Sequence, residues 1–283
     1  MLFFNIKNNF SIDFENIEKL ENIDEHILFQ IQDKLEGFIE MKQEERKFLN
    51  GVIRKYKPNK ILEVGVAQGG SSALILNAIK EYPNSKLYSI DRSVTWYQNH
   101  NKKVGWLVKE KFPELLNKWT LYAGNNPAEN LETIGNNIDL VFIDTMHVMP
   151  GEMLNFLEVL PFLKEEAIIV MHDIFIMFNH KNFKNKKLNY SNNQLICYIR
   201  GKLILPSYGD KEFSRNIGAI KLDKNQKQYY KQYFLALGNL WEYFPSQEDL
   251  IVLRAYFKKY YGENLVKIYD DAIEKNKIRF KSK

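Results

Sequence analysis

The sequence has 283 residues, 45% of them hydrophobic and 27% charged, which is enough chain for a sizeable core under an ordinary solvated surface. Its 40 basic residues are dispersed and offset by 35 acidic ones, a net charge of +5 that excludes a concentrated nucleic-acid footprint. One cysteine, Cys197, rules out an intrachain disulfide; no apolar run approaches the roughly 20 residues of a membrane span, and Met1 to Lys7 lack the basic segment of a secretion signal, so the expected location is cytoplasmic.

In chain order, residues 1–57 read as helical. Leu28, Ile31, Leu35 and Phe38 keep a helical stripe, and a second helix is expected over Gln43–Tyr56, with Phe48, Leu49, Val52 and Ile53 inward, until Pro58 and Asn59 stop it. A strand–helix alternation follows. Strands are expected at Ile61–Val64, Lys86–Ile90, Trp119–Ala123, Ile138–Ile143 and Ala167–Met171, and helices at 71–81, 104–117, 127–135 and 151–164. Such alternation predicts an α/β fold with a parallel sheet, and ligands of such sheets bind beyond the carboxyl ends of the strands. Polar residues stand at those ends: Asp91, Asn125, Asp144 and Asp173.

The segment 174–216 breaks the rhythm. It is rich in Asn and Lys, notably over 180–187, and reads as a loop or lid with a short helix near 193–200. A late strand is expected at 216–222. From 226 to 280 the chain is helical again, and Tyr229, Tyr230, Tyr233, Phe234, Trp241, Tyr243 and Phe244 read as core or interface aromatics. The implied organisation is an N-terminal helical extension (1–57), a ligand-binding domain (58–223) and a C-terminal helical extension (224–283).

The candidate chemistry starts at the turn after the first strand. Gly65, Gly69 and Gly70 let the backbone turn sharply or approach a ligand, and Ser71 and Ser72 open the next helix. Free N–H groups and a positive helix end then meet in one place, a receptor for a nucleotide-like ligand. Asp91, at the end of the second strand, is placed to accept hydrogen bonds from ribose hydroxyls. Glu63, an acid inside a buried strand, must either satisfy loop N–H groups or meet a cationic ligand group, and it is counted with the ligand-binding residues. The spacing Glu63-x-Gly65-x-Ala67-x-Gly69 departs from Gly-x-Gly-x-x-Gly, which disfavours a nicotinamide-dependent oxidoreductase. Asp144, His147, His172 and Asp173 fall at two strand ends; two carboxylates and a histidine there can hold a divalent cation, and His147 suits a general base near neutral pH.

The ordered set Ile61–Gly70, Tyr88–Asp91, Val141–His147 and Val170–Asp173 resembles the class I S-adenosylmethionine-dependent methyltransferases. Within them it is similar to the branch of small-molecule O-methyltransferases that includes the cephalosporin-hydroxylase-like and macrolide-sugar enzymes, over about residues 41–173. The resemblance implies a Rossmann-like seven-stranded sheet with a reversed last strand and helices on both faces. It implies that Gly65, Gly69, Gly70 and Ser71 hold the methionine part of the donor, Asp91 its ribose, and Asn125 and Asn126 its adenine. It further implies a metal site at Asp144, His172 and Asp173, with His147 as base. His172 departs from the pattern, since that position is commonly acidic, and an imidazole there moves preference from magnesium towards manganese or another transition metal. The acceptor implied is a hydroxyl of a sugar, glycan precursor or other small polar molecule, and the helical extensions offer a surface for a homo-oligomer. The reading from a different class is a non-catalytic scaffold that keeps the donor fold.

Overall fold

The computed structural model describes residues 18–176, 188–207 and 215–281. Among the described residues nine strands form: β1 Lys60–Val64, β2 Lys86–Asp91, β3 Thr95–Trp96, β4 Asn99–Lys103, β5 Trp119–Ala123, β6 Ile138–Ile143, β7 Leu163–His172, β8 Gly201–Ile204 and β9 Ile217–Leu222. Seven make one sheet in the order β5-β2-β1-β6-β7-β9-β8, and β3 and β4 make a small hairpin. All pairs of the large sheet are parallel except those of β9, which runs antiparallel between β7 and β8. The expected seven-stranded, mostly parallel sheet with one reversed strand at 216–222 is therefore present.

The strands are apolar on both sides because both sides are covered. Ile61, Leu87, Leu140, Phe142, Ile168 and Val170 enter one hydrophobic cluster with the N-terminal helices and the helix Gly70–Ala78. Their neighbours Leu62, Val64, Val141, Ile143, Ile169 and Met171 enter the opposite cluster with the helices Gly151–Val159, Ser191–Tyr198, Gln247–Tyr261 and Glu263–Lys281. The C-terminal aromatics belong to this second cluster: Tyr233, Phe234, Trp241, Phe257 and Tyr269 are fully buried. At about 25 cal/mol per Å² of apolar surface, these large side chains contribute a substantial share of the burial that holds the helices to the sheet.

The strand order places the site. From β1 the chain moves outward to β2 and β5, then returns to β6 on the other side of β1. The ends of β1 and β6 thus flank the switch point where a crevice opens in such sheets. The two ends are stitched together, since Asp144 N–H donates to the Val64 carbonyl at 3.0 Å.

Several elements differ from the sequence expectation. The helix expected over 104–117 is a short helix Trp106–Lys111 and a 3-10 turn Pro113–Lys118, because Pro113 removes a donor and bars Phe112 from helical backbone. β7 starts at Leu163 rather than Ala167; Lys164, Glu165 and Glu166 are exposed at an irregularity in the pairing with β6, and their polarity hid the strand. The hairpin β3–β4 is polar and carried no periodic signal. The short helix expected near 193–200 is present as Ser191–Tyr198, but the edge strand β8 that follows it was not expected. Residues 1–17 and the basic run at 180–187, including His180, lie outside the described residues. Among the described residues, no helix is long and apolar enough to cross a membrane.

Candidate active site

A cavity of about 1140 Å³ opens at the carboxyl ends of the strands. Its floor is the turn after β1. Gly65 has φ of +93°, and a Cβ there would sit 1.9 Å from the Asp144 carbonyl oxygen, so only glycine lets the β1 and β6 ends approach this closely. Gly70 and Ser71 line the cavity, whereas Gly69 does not. Gly69 instead packs against Gly105 and Val108, with φ of +99° at the start of the helix Gly70–Ala78.

Glu63 is fully buried and turned away from the cavity. Its carboxylate accepts hydrogen bonds from the hydroxyls of Ser71, Ser72 and Ser89, each at 2.6 Å. Burial nevertheless dominates and pushes its pKa up to about 7, with the three hydroxyls opposing. Glu63 therefore braces the turn from beneath. The sequence left open whether it meets loop groups or a ligand; here it meets serine hydroxyls.

Asp91 lines the cavity and ties the turn to the second strand. Its Oδ2 accepts Val66 N–H at 2.9 Å and Ala67 N–H at 3.0 Å, and its Oδ1 accepts Ser93 N–H at 2.8 Å. Of the two asparagines expected near the base, Asn125 is exposed and outside the cavity wall. Asn126 lines the cavity and caps the helix Pro127–Ile134. Its Nδ2 donates to Asp249 at 2.8 Å, and Asp249 also takes Arg92 at 2.5 Å and the Ser246 hydroxyl at 2.5 Å. Burial alone would raise Asp249, but the hydrogen bonds from Ser246, Asn126 and Arg92 hold its carboxyl below the usual range. Tyr243, Phe244, Pro245 and Leu253 complete this wall, so the C-terminal helices close one end of the cavity.

The other chemical feature is a cluster of acids and imidazoles. Ligand atoms of Asp144, His147 and Asp173 all lie within 4.8 Å of one another. His147 Nε2 is 3.4 Å from Asp173 Oδ2, and its Nδ1 is 3.8 Å from Asp144 and 3.6 Å from Glu152. His172 Nδ1 is 3.2 Å from Asp144 Oδ2 and 3.6 Å from Asp173 Oδ2. Both Nδ1 atoms are buried without a hydrogen bond, as a metal-ready imidazole requires. The donor set of carboxylates and imidazoles therefore fits a divalent cation. Burial works against the charged form of His147, but Asp144, Glu152 and Asp173 outweigh it and hold the imidazole above its ordinary value. His172 is held higher still, against burial, by Asp144, Asp173 and Glu45. Asp144 is pushed up by burial and down by His172 and His147, and the downward pull prevails.

Three further residues shape this cluster and a fourth the opposite wall, and none was singled out in the sequence. Glu152 is fully buried, and one of its oxygens accepts His147 N–H at 2.5 Å and Thr145 N–H at 3.3 Å. Asn216 donates to Asp173 Oδ1 at 2.5 Å and precedes the reversed strand β9. Glu45, from the helix Gln43–Tyr56, faces His172, and Asp249 anchors the far wall. An acid just after Asp144–His147 was the only visible signal for Glu152; Asn216, Asp249 and Glu45 lie 43, 123 and 127 residues from Asp173, Asn126 and His172.

Residues 62–174 match the family model described as "Methyltransferase domain". Over that span the chain is similar to methyltransferase domains. No curated protein matches the sequence. Among solved structures, this chain is similar to the O-methyltransferase TomG from Streptomyces achromogenes, involved in tomaymycin synthesis and solved in complex with SAM. The identity is 15%, covering 69% of this chain and 89% of that one, with a TM-score of 0.48. It is also similar to an O-methyltransferase from Bacillus cereus in complex with SAH, at 13% identity, 73% and 92% coverage and a TM-score of 0.47. At TM-scores below 0.5 neither likeness carries more than the family match does.

Proposed function

We propose that the methyltransferase domain moves the methyl group of S-adenosylmethionine to a hydroxyl of a sugar or another small polar molecule, with His147 as general base. The observation that carries this reading is one cavity lined both by the glycine turn with Asp91 and by the Asp144, His147, Asp173 cluster. Its volume of about 1140 Å³ exceeds the roughly 300–1,000 Å³ of single-ligand pockets, room for a donor and an acceptor together.

Each wall has a part in this reading. Gly65, Gly70 and Ser71 receive the amino-acid end of the donor; Asp91 keeps acceptor capacity on Oδ1 for a ribose hydroxyl; Asn126 and the C-terminal wall enclose the base. When bound, the sulfonium donor supplies an electrophilic methyl group. The acceptor oxygen forms a bond to that carbon as the carbon–sulfur bond breaks and its electron pair stays on sulfur; the hydroxyl proton passes to His147. Alignment of the reacting atoms is the main contribution of such a site.

Two imidazoles flank the carboxylate pair, and their exposures separate their roles. His147 has 26% of its side chain exposed and can reach an acceptor; His172 has 7% and serves the interior. Asp144, Asp173 and His172 would hold a divalent cation, which when bound supplies positive charge that lowers the pKa of a nearby hydroxyl. We further propose residues 58–223 as the catalytic unit, with 1–57 and 224–283 as helical extensions.

Titration calorimetry with S-adenosylmethionine tests the donor assignment. Saturable binding that competes with S-adenosylhomocysteine is expected, and absence of heat and of a thermal shift at saturating donor would overturn it. His147→Ala is expected to abolish transfer while leaving donor affinity unchanged.

A further inference from the structure

Glu45 belongs to neither the glycine turn nor the strand ends. It sits in the first turn of the helix Gln43–Tyr56, before the methyltransferase domain begins, and is 3% exposed. Its Oε2 accepts Lys42 N–H at 2.6 Å, which fixes the carboxylate, and lies 3.3 Å from His172 Nε2. On its other edge, His172 points Nδ1 between Asp144 and Asp173 at 3.2 and 3.6 Å, buried and without a hydrogen bond. A carboxylate on one ring nitrogen and an unpartnered nitrogen aimed at two acids is the arrangement of a metal-ligating histidine with its orienting acid.

We propose that Glu45 is a positioning residue which takes the Nε2–H of His172, leaves the Nδ1 lone pair facing Asp144 and Asp173, and so makes this a site for a divalent transition metal rather than magnesium. The inference deepens the metal reading given above and rests on it. An all-oxygen set suits magnesium, which demands near-ideal octahedral oxygen geometry, whereas an imidazole nitrogen suits Mn²⁺, Co²⁺ or Zn²⁺. The backbone that carries the ring is anchored as well: Asn192 donates to the His172 carbonyl at 2.6 Å. The N-terminal helix thereby decides which ion the strand ends accept, although none of its residues touches that ion.

The test uses the full chain, stripped of metal and without donor or acceptor. Mn²⁺, Co²⁺ and Mg²⁺ binding is measured by calorimetry, and Co²⁺ is also followed by its visible absorption, which reports nitrogen ligation directly. The wild type is expected to bind Mn²⁺ and Co²⁺ at least tenfold tighter than Mg²⁺. Glu45→Gln keeps the side-chain shape and is expected to weaken Co²⁺ binding about 10- to 100-fold and to alter its spectrum. Glu45→Asp should recover part of the loss, and circular dichroism checks that each variant folds. His172→Glu should invert the preference towards Mg²⁺. Equal Mg²⁺ and Co²⁺ affinities in the wild type, or an unchanged Co²⁺ affinity and spectrum in folded Glu45→Gln, would overturn the role of Glu45 while leaving a metal at Asp144 and Asp173 intact. No binding of any of the three ions would remove both that role and the metal reading, but not methyl transfer, which the donor titration tests separately.

Discussion

Glu152 accepts the backbone N–H of His147 at 2.5 Å and lies 3.6 Å from the Nδ1 of the same residue. One buried carboxylate therefore fixes the backbone of the residue proposed as base and sets a negative charge beside its ring. His147 has φ of +62°, a conformation that ordinary side chains adopt only where the surroundings impose it, and this hydrogen bond is one such constraint. Glu152→Gln keeps an acceptor for the backbone but loses the charge beside the imidazole. It is expected to lower kcat about 10- to 100-fold, to move the pH–rate profile to lower pH, and to leave donor Kd unchanged. An unchanged profile, measured by initial rates across pH, would separate Glu152 from proton transfer.

Asp249 couples the far wall to the β2 end by taking Arg92 and Asn126 on the same carboxylate. Asp249→Ala frees both partners at the place where the base of the donor is proposed to lie. Donor affinity is expected to fall about tenfold, equivalent to roughly 1.4 kcal/mol, with kcat at saturating donor nearly retained. Calorimetric titration of the variant decides this, and wild-type affinity would show the wall to be purely structural.

Gly65 has no room for a side chain. Gly65→Ala would force a methyl group into the Asp144 carbonyl and impose a positive φ on alanine. A loss of about 2–4 kcal/mol of stability is expected, read as a lowered urea midpoint, together with loss of donor binding. A stable variant with intact binding would show that the β1 and β6 ends can separate freely.

The buried acids set a pH dependence opposite to the usual carboxylate case. Glu63 is pushed up to about 7 by burial, from 4.5 for the ordinary group, and Glu158 likewise. The folded state then binds protons that the unfolded state releases, so these groups favour folding below about pH 4.5 and lose that advantage as pH rises towards 7. The size is on the order of 3 kcal/mol for each fully buried group. His147, raised above its ordinary 6.5 although burial opposes the shift, acts in the same direction from about 6.5 upward. Asp144 acts the other way, because its lowered value costs stability only as pH falls below the ordinary 3.8. Urea midpoints between pH 4.5 and 8 should therefore decline with pH in metal-free protein. Glu63→Gln should flatten part of that decline, and an identical slope would assign it elsewhere.

Much of this protein was legible in one dimension because the signals are local. The apolar run Ile61–Val64 followed by three glycines could be little other than a strand feeding a tight turn and a helix. The recurrence of Asp91, Asp144 and Asp173 at strand ends pointed to the end of the sheet where the cavity opens, since in a parallel sheet all those ends face one way. The late strand at 216–222 was visible as an apolar segment, whereas its reversal was implied only by the family resemblance.

Contacts between distant segments decided the rest. Nothing near Glu63 in the chain announces that Ser89, 26 residues on, completes a cage of hydroxyls beneath the turn. Glu45 lies 127 residues from His172, and Asp249 lies 157 from Arg92. A carboxylate on an amphipathic helix looks the same in sequence whether it faces water or an imidazole. The sequence alone determined the alternation of elements, the glycine turn and the acids at the strand ends, because backbone preference and side-chain periodicity act within a few residues. Only the tertiary structure decided which acid braces, which orients and which faces the cavity, because burial and charge pairing depend on what the fold brings alongside.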